Sequence, residues 1–248
     1  MAASYRPKRW HPNAIAKIGT TRIVRDKSLP TIAATYSATE LFKIAKMAYE
    51  RTNDGSSERV GDKYDAVVAI VFAAFSLEAF INELVDLADN PVLSDSPAMR
   101  SFVALVKEVE ELQGSVKLKY MLAKVAFTGT PFNKGESPFQ DFVQLFKLRD
   151  MLVHYKPEDK YHIDSEGKSE THSYPKIILA LRSKNILAQA RNHTIEKWLT
   201  LISTRACAYW ACNATCEMIQ LILNALPEGK LTRFLKPFYQ EVFQLSVQ

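Results

Sequence analysis

Glycine and proline are scarce in this sequence, which has 8 glycines and 11 prolines among its 248 residues. Most of them lie between apolar segments, where they end elements of secondary structure. A chain with so few breaks favours long helices over many short strands. Since 47% of the residues are hydrophobic and 24% are charged, the composition is that of a folded globular protein and not of a disordered one.

Cysteine is scarcer still, with three residues that all lie in one segment near the C-terminus: Cys207, Cys212 and Cys216. No further cysteine and no clustered histidine accompanies them, so a metal site is the weaker of two alternatives. We interpret the three as small apolar residues on one helix. The sequence therefore predicts no metal and no cofactor.

A long hydrophobic run is also missing. The longest, Ala66–Phe75, is too short to cross a bilayer, and the first residues lack the apolar segment of a signal peptide. We therefore expect a soluble protein that is located in the cytoplasm and has no membrane partner.

Acidic residues are almost absent from the first 30 residues, which carry seven lysines and arginines against one aspartate, a net charge of +6. The whole chain has a net charge of +5, so the remainder is close to neutral. We predict a basic N-terminal arm, 1–36, followed by a single helical domain, 37–248. The arm could contact phosphates, or it could be an ordinary solvated terminus.

Capping signals mark the starts of several helices. Ser37 and Glu40 form a capping box, while Ser96 and Ser137 each precede a proline that suits the first position of a helix. Gln140 would complete a second capping box. We predict helices at about 37–52, 62–89, 97–113, 115–127, 138–155, 195–226 and 230–245.

The polar segment after Pro157 predicts a loop or a short hairpin rather than a part of the core. No runs typical of a parallel sheet occur. The predicted fold class is therefore all-α, an antiparallel helical bundle with one polar loop or short hairpin after the helix that ends near Pro157.

Glu78, Arg149 and Arg205 each interrupt the apolar stripe of a different predicted helix. Buried charges are costly unless they are paired, so the pattern predicts an internal ion pair or triad. Removing Arg149 would then strand a buried carboxylate at a cost of about 3–5 kcal/mol. One interpretation of the pair is purely structural: Glu78 neutralises an arginine and fixes the register of the helices.

Arg149 and His154 lie five positions apart near the end of one predicted helix. On an ideal helix their side chains diverge by about 140°, so they meet in one cleft only if the last turn frays or a second copy of the chain contributes. A histidine titrates near neutral pH, and an arginine fork fits phosphate oxygens. Together they suit phosphodiester cleavage without a metal.

The segment LRDMLVHYKP, which contains Arg149, Asp150 and His154, resembles the signature of the HEPN superfamily of helical domains, an arginine followed after four to six residues by a histidine. The upstream segment AFSLEAFINELV is similar to the acidic helix that packs against the motif helix in these proteins. In this comparison Glu78 occupies the acidic position, and Asn82 corresponds more loosely to a supporting residue.

The resemblance implies a metal-independent endoribonuclease that forms homodimers, with two copies of the motif in one cleft. The RNA 2′-OH would attack the neighbouring phosphate, His154 would transfer protons, Arg149 would hold the phosphorane and Asp150 would position one of them. The family includes toxins with antitoxin partners and antiphage effectors. Other members are non-catalytic interaction modules, and that alternative stays open here.

RNA contact is expected from the residues around the motif: Lys147, Tyr155, Lys156 and Lys160. Some toxins of the family carry a tyrosine two residues after the histidine. Here Lys156 occupies that place, so the sequence departs from that regulatory pattern.

Overall fold

The computed structural model of the protein describes residues 37–52, 60–94, 96–154, 160–163, 169–187 and 197–245. The chain divides into two units at Tyr36–Ser37, and the described residues all belong to the second unit. The predicted basic arm, 1–36, lies outside the described residues.

The described residues form nine helices and one two-stranded antiparallel hairpin, in which Lys160 pairs with Ser173. This confirms the all-α bundle with a short hairpin after the motif helix. The helices are α1 Ser37–Arg51, α2 Val60–Asp89, α3 Pro97–Glu111, α4 Val116–Thr128, α5 Phe139–Val153, α6 Lys176–Ser183, α7 Trp198–Ile202, α8 Arg205–Ala225 and α9 Lys230–Val242. The strands are β1 Lys160–Ile163 and β2 Ser169–Ser173.

Helix α2 is the centre of the bundle, and α1 packs antiparallel along it. At one end of this helix pair, the Ala38 N–H at the start of α1 donates to Glu83 Oε1 at 2.8 Å. At the other end, Arg51 pairs with Asp65 at 2.8 Å. The Glu83 carboxyl also accepts from the Tyr239 hydroxyl of α9 at 2.5 Å, and its burial raises its pKa above the ordinary value.

Helix α8 packs against α2 through small side chains. Thr215 is fully buried and donates to the Ala73 carbonyl oxygen of α2 at 3.2 Å. The three cysteines of α8 are free and buried, and burial raises the pKa of Cys207 and of Cys216 to about 12. These thiols therefore stay protonated near neutral pH and serve as small apolar residues.

Among the described residues, the part of α2 from Tyr64 to Asp89 is long and apolar enough to cross a membrane by length and composition. The apolar segment is therefore longer than the run Ala66–Phe75 that the sequence analysis considered, because apolar residues continue past Phe75. Half of that span is buried inside the protein, and the core helix of a soluble protein meets the same criteria. The finding is weak evidence for a membrane span, and the burial supports a core role.

Two predictions of local structure were wrong, and one helix was missed. The predicted helix 195–226 is broken at Ser203–Thr204, where Thr204 adopts an extended conformation and its hydroxyl accepts from the Cys207 N–H as the N-cap of α8. Helix α6 was not predicted. Ser137 is not the N-cap of α5, because Pro138 holds that position and the Ser137 hydroxyl donates to Asp141.

Candidate functional site

Helices α2 and α5 meet at Arg149. This contact was predicted from the charged residues that interrupt the apolar stripes of the two helices. Arg149 Nη2 lies 3.4 Å from Glu78 Oε2. Glu78 is in the middle of α2, and Arg149 is in the C-terminal part of α5, on the same stripe as the buried Phe142 and Leu145. The apolar neighbours on both helices therefore determine where this ion pair forms.

Aromatic rings and a second carboxylate complete the surroundings of Arg149. The guanidinium carbon lies 5.0 Å from the centroid of Phe146 and 5.9 Å from that of Phe75, within the range of cation–π attraction. Arg149 Nε is 3.4 Å from Asp150 Oδ1. That contact lacks hydrogen-bond geometry, so Nε is buried without an acceptor. The arginine is held in place, but its hydrogen-bonding capacity is only partly used.

The two partners of the ion pair differ in burial. The side chain of Arg149 is 18% exposed and that of Glu78 is 40% exposed. Because water reaches Glu78, this carboxylate would be hydrated if Arg149 were removed. The expected cost of about 3–5 kcal/mol for a stranded buried carboxylate is therefore too large for this pair.

Arg205 does not form the predicted triad with Glu78 and Arg149. Its guanidinium instead donates to the Thr52 carbonyl oxygen at 2.7 Å and stacks 4.7 Å from the Tyr49 ring, both at the C-terminal end of α1. Carbonyl groups at a helix end have no partner within the helix, and a cation there is favourable. Arg205 thus joins α8 to α1, and the charged cluster consists of Glu78, Arg149 and Asp150.

His154 is the C-cap of α5, and its backbone N–H donates to the Asp150 carbonyl oxygen at 2.9 Å. Its side chain is exposed, and the neighbouring Val153 is 50% exposed. Two described cavities, of about 770 and 540 Å³, are lined by other residues, on α4 and α8 and beside α3. The structure therefore places Arg149 in a packed setting and His154 on the open surface, near the end of the same helix.

The remaining predicted site residues that the structure describes lie on three different elements. Asn82 accepts from Lys119 of α4 at 2.8 Å. Lys147 is exposed on α5, Lys160 begins β1, and 155–156 lie outside the described residues. Asn82 therefore joins α2 to a lysine of α4.

Sequence reasoning missed the rings of Phe75 and Phe146. Each lies three residues before a charged residue of the site, Phe75 before Glu78 and Phe146 before Arg149. Residues three apart are neighbours on a helix surface. That spacing was a signal in the sequence that could have identified both rings.

No protein-family model matches the chain, and neither a curated protein nor a solved structure matches it.

Proposed function

We propose that this protein is a HEPN-like, metal-independent endoribonuclease that acts in the cytoplasm as a homodimer. One observation carries the proposal: Glu78 of α2 holds Arg149 of α5, while His154 is exposed at the end of that same helix. The pairing of the motif helix with an acidic helix is the arrangement that the resemblance implies.

The chemistry follows from these groups. The RNA 2′-oxygen bonds to the neighbouring phosphorus while the bond from phosphorus to the 5′-oxygen breaks, which yields a 2′,3′-cyclic phosphate and a free 5′-hydroxyl. One imidazole accepts the proton of the 2′-OH, and a protonated imidazole donates one to the leaving 5′-oxygen. Arg149 stabilises the negative charge on the phosphorane, and Asp150 keeps the arginine oriented.

The reaction as proposed uses two imidazoles at once, and among the side chains that the structure describes His154 supplies one. A second copy that faces the end of α5 would supply the other His154 and would cover the exposed Val153. It would also enclose the reacting phosphate, since His154 is on the open surface of one chain. These requirements support a homodimer with one shared cleft.

The surroundings of the motif support an RNA substrate. Lys147 is exposed on α5, and Tyr155, Lys156 and Lys160 follow the motif in the sequence. Lysines at this end of α5 would neutralise flanking phosphates. A role as a toxin or antiphage effector, with an antitoxin or another partner protein, belongs to the same proposal.

The test is cleavage of mixed RNA by purified protein in EDTA. His154→Ala should lower the rate by about 10²–10⁴-fold, because a general acid or base is lost. As His154 is exposed, the variant should keep its fold, with a change in unfolding free energy under about 1 kcal/mol. Asn224→Ala, an exposed position on α8, is the control. Equal cleavage by wild type and His154→Ala contradicts the assignment.

A second candidate is a non-catalytic helical interaction module. The observation that favours it is the burial of Arg149, which is only 18% exposed and already paired with Glu78. A structural pair of this kind would fix the register of α2 and α5 without any substrate. Wild-type protein that cleaves none of the RNAs tried would support this candidate over the ribonuclease.

A further inference from the structure

Helix α2 leaves two neighbouring phenylalanine side chains partly exposed on one part of its surface. Phe72 and Phe75 are both partly accessible, whereas Phe80 on the same helix is 1% exposed. The rings of Phe72 and Phe75 contact each other edge to face, with centroids 5.9 Å apart and an interplanar angle of 72°. They form a small aromatic surface that the rest of the described bundle does not fully cover.

This aromatic surface adjoins the ion pair of the candidate site. The Phe75 centroid is 5.9 Å from the guanidinium carbon of Arg149. Phe75 lies one helical turn before Glu78, and Phe72 lies one turn earlier again, so the rings extend away from Arg149 along α2. A nucleotide with its phosphate at Arg149 would therefore have an aromatic surface within reach of its base.

We infer that Phe72 and Phe75 form a stacking platform for an unpaired base, which makes single-stranded RNA the substrate of the site. This inference rests on the proposed ribonuclease function. Proteins bind single strands by stacking bases on aromatic rings, which requires no particular base. The bases of an RNA duplex are stacked on one another and are not available for this contact.

The experiment measures RNA binding separately from cleavage. The protein carries His154→Ala to prevent cleavage, and the probe is a single-stranded RNA that contains 2-aminopurine, whose fluorescence falls when the base stacks. Phe75→Leu and Phe72→Leu retain an apolar side chain but remove the flat ring. Phe127→Leu is the matched control, because Phe127 is also partly exposed and forms an edge-to-face pair with Phe102 at 5.0 Å, away from the site.

The single-stranded probe should bind with quenched fluorescence, and the same RNA in a duplex should bind more weakly. Phe75→Leu should raise the dissociation constant about 10- to 100-fold and reduce the quenching, as expected for the loss of one stacked base. Phe72→Leu should have a smaller effect in the same direction, since Phe72 lies farther from Arg149. Phe127→Leu should bind like the parent protein.

Three results would overturn the platform. They are equal binding by Phe75→Leu and the control, equal affinity for duplex and single strand, and conversion of a dimer to a monomer by Phe75→Leu, which would identify the rings as a protein contact. Quenched binding that depends on Phe75, in a wild-type protein that cleaves no RNA, supports the platform and contradicts the catalytic proposal. The two inferences are thus tested separately.

Discussion

Arg149 has two requirements to meet, one for the fold and one for the proposed chemistry. Its contacts with Glu78 and the ring of Phe75 join α5 to α2, and the ring of Phe146 on α5 itself packs against the guanidinium. The same contacts orient a cation whose Nε has no acceptor. Substitutions at this residue therefore have to be designed so that loss of stability and loss of function can be distinguished.

We expect Arg149→Ala to lower the unfolding free energy by about 1.5–3 kcal/mol, the scale of a hydrogen bond to a charged group. The effect should not be larger, because Glu78 is 40% exposed and can be hydrated. Arg149→Lys keeps the positive charge beside Glu78, so it should lose less stability. It lacks the planar fork that suits a phosphate, so it should still lose RNA cleavage. Urea unfolding and cleavage in EDTA measure the two effects.

Arg233→Ala is the control for these variants, because it removes an exposed cation from α9. It should leave cleavage and stability unchanged, within about 0.5 kcal/mol. If Arg149→Lys cleaved RNA as fast as wild type, the guanidinium would have no direct role in catalysis, and only its structural role would remain.

At the scale of elements, Asp141 joins three helices. Its Oδ1 accepts from Lys184, just after α6, at 2.6 Å and from Trp210 of α8 at 3.0 Å. Ser137 donates to the other oxygen. Burial alone would raise the pKa of Asp141, but the hydrogen bonds from Lys184, Ser137 and Trp210 outweigh it and lower the pKa.

Because the folded pKa of Asp141 is lowered, the folded state binds fewer protons than the unfolded chain. Its contribution to stability is present above the unfolded value of about 4 and is lost as the pH falls through the folded value. Asp141→Asn should lower the unfolding free energy at pH 7 by about 1–3 kcal/mol. Urea unfolding between pH 7 and pH 3 should show that the difference in unfolding free energy between wild type and Asp141→Asn decreases as the pH falls. A difference that stays constant with pH would contradict the lowered pKa of Asp141.

The sequence predicted α1 to α5 because each combines an apolar stripe with a start or stop signal. It did not predict the break between α7 and α8, because the apolar stripe continues across Ser203 and Thr204. The break depends on one hydroxyl, that of Thr204, which caps α8 instead of lying within a helix. Periodicity cannot reveal such a local competition between side chain and backbone.

Sequence periodicity also identified the partners of the charged residues only in part. Glu78 and Arg149 were predicted to pair because both interrupt apolar stripes, and the structure places them 3.4 Å apart. Arg205 interrupts a stripe as well, but its partner at 2.7 Å is the backbone carbonyl of Thr52. Every residue carries a carbonyl, so a backbone partner leaves no signal in the sequence.

At the scale of the whole molecule, one chain keeps Arg149 packed between helices and leaves His154 open to water. The proposed reaction needs an enclosed phosphate and two imidazoles. If the proposed reaction has these requirements, RNA cleavage depends on formation of the homodimer. Changes that dissociate the dimer should therefore lower the cleavage rate as well.

We therefore expect light scattering at micromolar concentration to give about twice the chain mass of 28.1 kDa. Val153→Asp should convert the dimer to a monomer and abolish cleavage, since Val153 is 50% exposed beside His154 and a charge there would be buried on assembly. Leu112→Asp is the matched control, because Leu112 is 81% exposed at the end of α3 and should tolerate a charge in either state. Both variants should keep the helical circular dichroism of wild type. A monomer that cleaves RNA in EDTA at full rate would show that one chain suffices, and the shared cleft would then be wrong.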